Sequence, residues 1–165
     1  MLHISTETPE DTPDVEYLFD LAFAPGRQAL SSYRLRDGVP PVAALCLIAR
    51  GEEGALAGAI RFWPVKIGDH DSLLLGPVAV HPTRQGEGVG GFLLERSLEQ
   101  AAELGWQRVV LVGDAPYYKR FGFDPLTGIK FPPPTNPARV LGRALTEGAF
   151  DGVTGNVKRL ADGHK

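Results

Sequence analysis

Cysteine is nearly missing from this chain. Cys46 is the only one among 165 residues, which rules out an internal disulfide and any site built on clustered thiolates. It stands in the apolar run Val42–Ala49 and reads as a buried structural thiol rather than a nucleophile. The four histidines, His3, His70, His81 and His164, stand at no metal-ligand spacing, so no metal is expected. An excess of one charge sign is lacking too: the net charge is −3, without the basic footprint of a nucleic-acid binder. No apolar run approaches the roughly 20 residues of a membrane span, and the polar start Met1–Ser5 is not a signal peptide. The expectation is a cytoplasmic protein with no membrane and no nucleic-acid partner. No internal repeat is present.

What remains is ordinary globular material, 43% hydrophobic and 22% charged, long enough for one domain spanning residues 1–165 with its own core. Its most informative stretch runs from Leu73 to Phe123, in the order strand, glycine loop, helix, strand, aromatic turn. From Gly90 onward, Gly90, Leu93, Leu94, Ser97, Leu98 and Ala101 fall on one helix face, while Glu95, Arg96, Glu99, Gln100 and Glu103 take the other. Gly105 supplies a left-handed stop. The flanking runs are short, apolar and rich in β-branched residues, as in strands covered on both faces.

A helix start leaves about four backbone N–H groups unpaired and carries roughly half a positive charge, so a glycine loop leading into it can hold an anion. The first turn here, Gly90 to Leu93, has no Asp or Glu, and Arg84 lies just upstream. Glu87, a carboxylate in such a loop, must point to solvent.

Around this block the chain predicts a first strand Leu2–Thr6 and a helix capped by Thr12 with Val15, Leu18, Phe19 and Ala22 inward. A second helix is expected over Arg27–Leu35. Strands Val42–Ala49 and Leu56–Val65 make a hairpin over Gly51–Gly54, and Ser72–Val80 follows the turn Gly68–Asp71, so the sheet is mixed and mostly antiparallel. Gly76-Pro77 interrupts Ser72–Val80, and proline cannot donate to a ladder. A bulge or a divergence is therefore expected there, exposing main-chain groups of Val78, Ala79 and Val80 to an extended ligand. Later come a short strand at Gly128–Phe131, an exposed loop Pro132–Pro134, a last strand Val140–Leu145 and a mobile tail Asn156–Lys165.

Gly86, Gly88 and Gly91 satisfy the G-x-G-x-x-G of dinucleotide folds, with Asp114 at the end of the next strand to hold a ribose. Against a dinucleotide-binding oxidoreductase stand the five residues His81–Gln85 between strand and glycines, the hairpin region ahead of them, and the aromatic turn in place of further βα units. The same letters read as Gln85-x-x-Gly88-x-Gly90. Together with Val78–Pro82 before and Tyr118-Lys119-Arg120-Phe121-Gly122-Phe123 after, they resemble the GNAT family of N-acetyltransferases, and more narrowly a bacterial YhbS-like subgroup.

That resemblance covers Leu73–Phe123 and implies an α/β (α+β) fold whose central sheet is splayed between two strands and flanked by helices. It implies acetyl-CoA, or another acyl-CoA, as cosubstrate. The main chain of Gln85, Gly86, Glu87, Gly88, Val89, Gly90 and Gly91 would take the pyrophosphate with help from Arg84. Val78, Ala79 and Val80 would meet the pantetheine arm, and Asp114, Tyr117, Tyr118 and Phe121 would complete the wall. Tyr118 matches the family tyrosine that protonates the departing thiolate. The acceptor would be a small-molecule or peptide amine, met between the first two helices and the Phe62–Asp71 and Leu126–Pro137 loops. Glu7, Asp11 and Asp20 could suit an amine or be plain surface carboxylates. No base is named: Asp114 and His70 read better as a cap and a turn residue, and His81 as structural. A CoA-binding sensor without catalysis remains a second reading, and a homodimer is compatible with either.

Overall fold

The structure is a computed structural model that describes residues 2–22, 35, 36 and 38–160. In it, β1 (His3–Thr6), β2 (Leu47–Arg50), β3 (Leu56–Ile67), β4 (His70–Val80), β5 (Arg108–Val112), β8 (Val140–Ala144) and β6 (Asp124–Pro125) form a sheet in the order β1-β2-β3-β4-β5-β8-β6. Every neighbouring pair is antiparallel except β4 with β5. The mixed, mostly antiparallel sheet expected from the hairpins is therefore present. β9 (Gly155–Arg159) lies on the free edge of the distal half of β3 and is joined in parallel by β7 (Ile129–Lys130).

Helices cover both faces. α1 (Thr12–Ala22) buries Val15, Leu18 and Phe19 against Ile48, Ala59 and Ala79. α2 (Val89–Glu103) covers the other face and buries Val89, Gly90, Leu93, Leu94, Ser97, Leu98 and Ala101, the predicted stripe with one residue added. Each fully buried leucine contributes about 2 kcal/mol, so α2 is held by its packing. Its end is the expected one: Gly105 turns the chain at φ +96. A short α3 (Ala115–Lys119) follows β5.

Four expectations need correction. The run Val42–Ala49 is not one strand: Ala43–Leu45 is a 3-10 turn, and pairing begins only at Leu47, because Leu45 and Cys46 turn their N–H groups back onto the Val42 and Ala43 carbonyls. Thr12 is already helical; its hydroxyl donates to Glu7 at 2.9 Å instead of accepting from the helix start. Val140–Ala144 is not the last strand. Asn156–Arg159, placed in the mobile tail, belongs to β9, where Val157 is buried and pairs with Ile67. The helix expected over Arg27–Leu35 lies outside the described residues apart from Leu35, which sits in a turn.

Candidate active site

The site begins where a strand loses its neighbour. β4 accompanies β5 only through Leu73↔Val109 and Leu74↔Val110, while its pairing with β3 continues to Val80↔Gly58. Leu75 faces Phe62 and Val78 faces Ile60, so Gly76 and Pro77 together oppose the single Arg61. This is the bulge that proline enforces, and the Trp63 indole N–H secures it by donating to the Gly76 C=O at 2.9 Å.

Past the bulge, His81 N–H donates to Ala57 C=O at 2.8 Å, which makes Val80↔Gly58 a non-hydrogen-bonded pair. By the alternation of an antiparallel ladder, Ala79 then spends its main-chain groups on β3, whereas those of Val78 and Val80 face the gap left by β5. Gln85 Nε2 donates to Val80 C=O at 3.0 Å. The Val78 N–H and C=O and the Val80 N–H remain turned into the gap.

The mouth of α2 opens beside this strand. Gly86 and Gly88 turn the chain at φ +86 and +82, and a Cβ on either would meet nothing; the left-handed backbone, not crowding, requires glycine there. Gly88 is the residue preceding α2, and the first turn carries no acidic side chain, so its N–H groups point outward with the helix dipole behind them. Crowding explains the next glycines. A Cβ on Gly90 would lie 3.1 Å from Tyr117 Oη and 3.4 Å from Val80 Cγ2, and one on Gly91 would lie 3.1 Å from Phe121 Cζ.

Arg84 is not directed at this mouth. Its guanidinium binds Glu87 at 2.7 Å and lies against Gly51, whose Cβ would come within 2.3 Å of Nη2. It lines a small hollow with Asp14, Tyr17 and Arg50 on the α1 side. The Arg84–Glu87 pair also accounts for the carboxylate in the loop, which is neutralised rather than merely solvated.

The aromatic turn closes the far side. Asp114 caps α3 by accepting Tyr117 N–H at 3.1 Å. Tyr118 stacks edge-on with Tyr117 at 5.0 Å and with Phe123 at 5.8 Å. Its ring lies on Gly113, where a Cβ would stand 2.7 Å from Cε2. Burial, then Tyr117 and Asp114, push the Tyr118 phenol up to about 12, so it is protonated throughout the neutral range. Tyr117 is also raised by burial, against the opposing charge of Arg120. Of the two rings, Tyr118 is the deeper.

The sequence candidates for a base are otherwise engaged. Asp114 serves as the cap, and His81 Nδ1 accepts Thr83 N–H at 3.2 Å. His70 opens β4 opposite Ile67, eight residues from Val78 and so about 27 Å away. Glu7 and Asp11 are not surface carboxylates waiting for an amine. Glu7 takes two bonds from the buried Arg61 at 3.0 and 2.8 Å, and Glu16 takes a third at 2.7 Å. Asp11 binds Arg50 at 2.8 Å. Among the described residues, no cluster of three or more His, Cys, Asp or Glu is arranged to hold a metal.

Three residues of the site had escaped the sequence reading: Trp63, Arg61 and Gly113. Only Gly113 left a local trace, a glycine directly before the capping Asp114 and two tyrosines. Taken together, the parts can hold an anionic group at the mouth of α2, pair an extended amide-bearing chain along Val78–Val80, and present a neutral phenol beside it.

Comparison with known proteins points the same way. The family model for the acetyltransferase (GNAT) domain matches residues 43–125. The uncharacterized N-acetyltransferase YhbS of Escherichia coli is 31% identical over 160 residues, which cover 94% of either chain. The solved structure of YhbS from Escherichia coli in complex with CoA superposes with a TM-score of 0.83 at 29% identity, covering 96% of this chain and 89% of that one. A GNAT family acetyltransferase from Brucella melitensis in complex with acetyl-CoA gives 0.72 at 32% identity, covering 98% and 97%.

Proposed function

Since this chain belongs to the GNAT family of acyl-CoA-dependent N-acetyltransferases, we propose how its own residues divide the work of moving an acetyl group from acetyl-CoA to an amine, within one acyltransferase domain. The observation that carries the assignment is the parting of β4 from β5 directly beside an acid-free helix start.

In this reading the main-chain N–H groups from Gln85 to Gly91 take the diphosphate, and the main chain of Val78 and Val80 pairs with the pantetheine arm as a further strand would. A β4 N–H facing the gap polarises the thioester carbonyl. Donors of this kind are worth roughly 3 kcal/mol at the tetrahedral stage. Tyr117 and Phe121, resting on Gly90 and Gly91, wall the arm in.

Tyr118 hydrogen-bonds the departing sulfur. A phenol near 12 is a much weaker acid than a thiol of about 8.5, so Tyr118 shares its proton with the thiolate and does not surrender it. The leaving group is stabilised enough to go, which puts the contribution of Tyr118 at about 10- to 100-fold. The acceptor in this reading is a small-molecule or peptide amine.

The test is thiol release from acetyl-CoA with a panel of amines, wild type against Tyr118→Phe. Turnover at saturation should fall 10- to 100-fold while acetyl-CoA affinity stays within twofold. Unchanged turnover would remove the role from Tyr118, and binding without any transfer would favour the CoA-sensing reading.

A further inference from the structure

The chain between β6 and β8 walls an open hollow of about 720 Å³. Leu126, Ile129, Phe131 and Val140 line it, the last three buried, with Thr127 and Lys130 at its rim. Among the described residues that line it there is no Asp or Glu, and Lys130 is the only charged side chain.

Strand register joins this hollow to the gap. Val140 pairs with Val112, and Val112 lies two residues beyond Val110, the last β5 residue paired with β4. Ile129, Phe131 and Val140 pack in one cluster with Trp63, Leu74 and Val110, on the face turned away from α2. Neighbouring strands are about 4.8 Å apart. The Val140 wall therefore stands one strand from the edge of β5 that borders the gap, on the sheet face opposite α2.

We propose that this hollow seats the body of the acceptor, and that the acceptor is a primary amine on an uncharged aliphatic or aromatic frame rather than a polyamine or an amino sugar. The assignment rests on the acetyl-transfer reading above. The volume suits a small organic molecule. A second ammonium group would find no carboxylate among the described residues of these walls and would give up hydration without an ionic partner. The same apolar surroundings lower the pKa of the single reacting ammonium, which supplies neutral amine where Asp114 and His81 are both engaged. The ammonium proton leaves to solvent. The amine nitrogen then attacks the thioester carbonyl, the C–N bond forms as the C–S bond breaks, the nitrogen gives its second proton to solvent, and the sulfur departs as a thiolate hydrogen-bonded by Tyr118 that takes its proton from solvent.

The experiment uses the full chain, saturating acetyl-CoA, and n-alkylamines from ethylamine to hexylamine, whose basicity is nearly constant. Spermidine and kanamycin serve as polycationic comparators, and acetyl-CoA affinity is measured calorimetrically in parallel. kcat/KM should rise about fourfold per added methylene, the worth of burying one. Leu126→Gln should flatten that rise while leaving acetyl-CoA affinity within twofold, and Lys130→Glu should improve spermidine relative to hexylamine. Acetyl-CoA binding with a flat alkyl series, or with the polycations preferred, overturns the assignment of the hollow alone. So does a rise that survives Leu126→Gln. Failure to bind acetyl-CoA overturns the acetyl-transfer reading, and the hollow's role falls with it.

Discussion

A tyrosine held near 12 is a liability in alkali as well as a tool in catalysis. Tyr118 has its ordinary value of 10.0 raised by burial, so the folded state binds its proton more tightly than the unfolded one. Its contribution to stability is complete below pH 10 and drains away as the pH climbs through 12. Urea titrations across that window should show stability falling with pH in the wild type and a shallower fall in Tyr118→Phe; identical slopes would mean that the ring is not buried as described. The cationic side chain nearest the glycine loop makes the opposite kind of case. Arg84 is bound to Glu87 and rests on Gly51, so Arg84→Ala should weaken acetyl-CoA binding less than threefold. A tenfold loss would show that the pair opens to meet the ligand.

At the scale of elements, the mouth of α2 depends on backbone conformation. Gly88 holds φ +82, a region that costs an L-residue about 1–2 kcal/mol. Gly88→Ala should therefore lower acetyl-CoA affinity by about tenfold, well beyond Arg84→Ala, because the N–H groups that aim at the ligand are turned by that residue. Affinity equal to wild type would move the anion site elsewhere. Beyond its buried apolar stripe, α1 is tied to the sheet by ion pairs. Arg61 is 8% exposed and joins β3, at the point opposite the Gly76-Pro77 bulge, to Glu7 and Glu16. Arg61→Ala would strand the Glu7 carboxylate, whose side chain is 9% exposed, at a cost of about 3–5 kcal/mol. Adding Glu7→Gln should recover much of it, and chemical denaturation of the single and double variants measures the difference. Equal losses in both would show that the cost is packing rather than an orphaned charge.

For the molecule as a whole, the distal half of β3 is covered by a strand from the chain's end. β9 pairs Val157 with Ile67 and Arg159 with Val65, and Val157 packs with Trp63, Ile67, Ile129 and Phe131. A chain ending at Thr154 would bare that edge and remove the partner of β7, whose Ile129 lines the proposed acceptor hollow. Its melting temperature should fall sharply and alkylamine transfer should be lost. A truncated chain that melts and turns over like the full one would show that β9 is dispensable.

The glycine loop, the α2 stripe, the Asp114 cap and the Gly76-Pro77 interruption could all be read from the letters. Each depends on residues a few positions apart: a positive φ, a 3.6-residue period, a missing N–H. Those local rules, with the resemblance they carry, were enough to name the family and the splayed strand. Other features waited for the folded chain, because they are settled by partners far away in sequence. Arg61 meets Glu7 across 54 positions, β9 finds β3 only after β3 has an edge to offer, and Arg84 turns to Glu87 and Gly51 instead of the helix mouth. Which tyrosine lies deeper follows from Gly113 making room beneath Tyr118. The resemblance pointed to the Leu126–Pro137 loop as a wall for the acceptor, but the hollow's apolar lining exists only when the segment from Pro125 to Val140 is laid beside the end of β5.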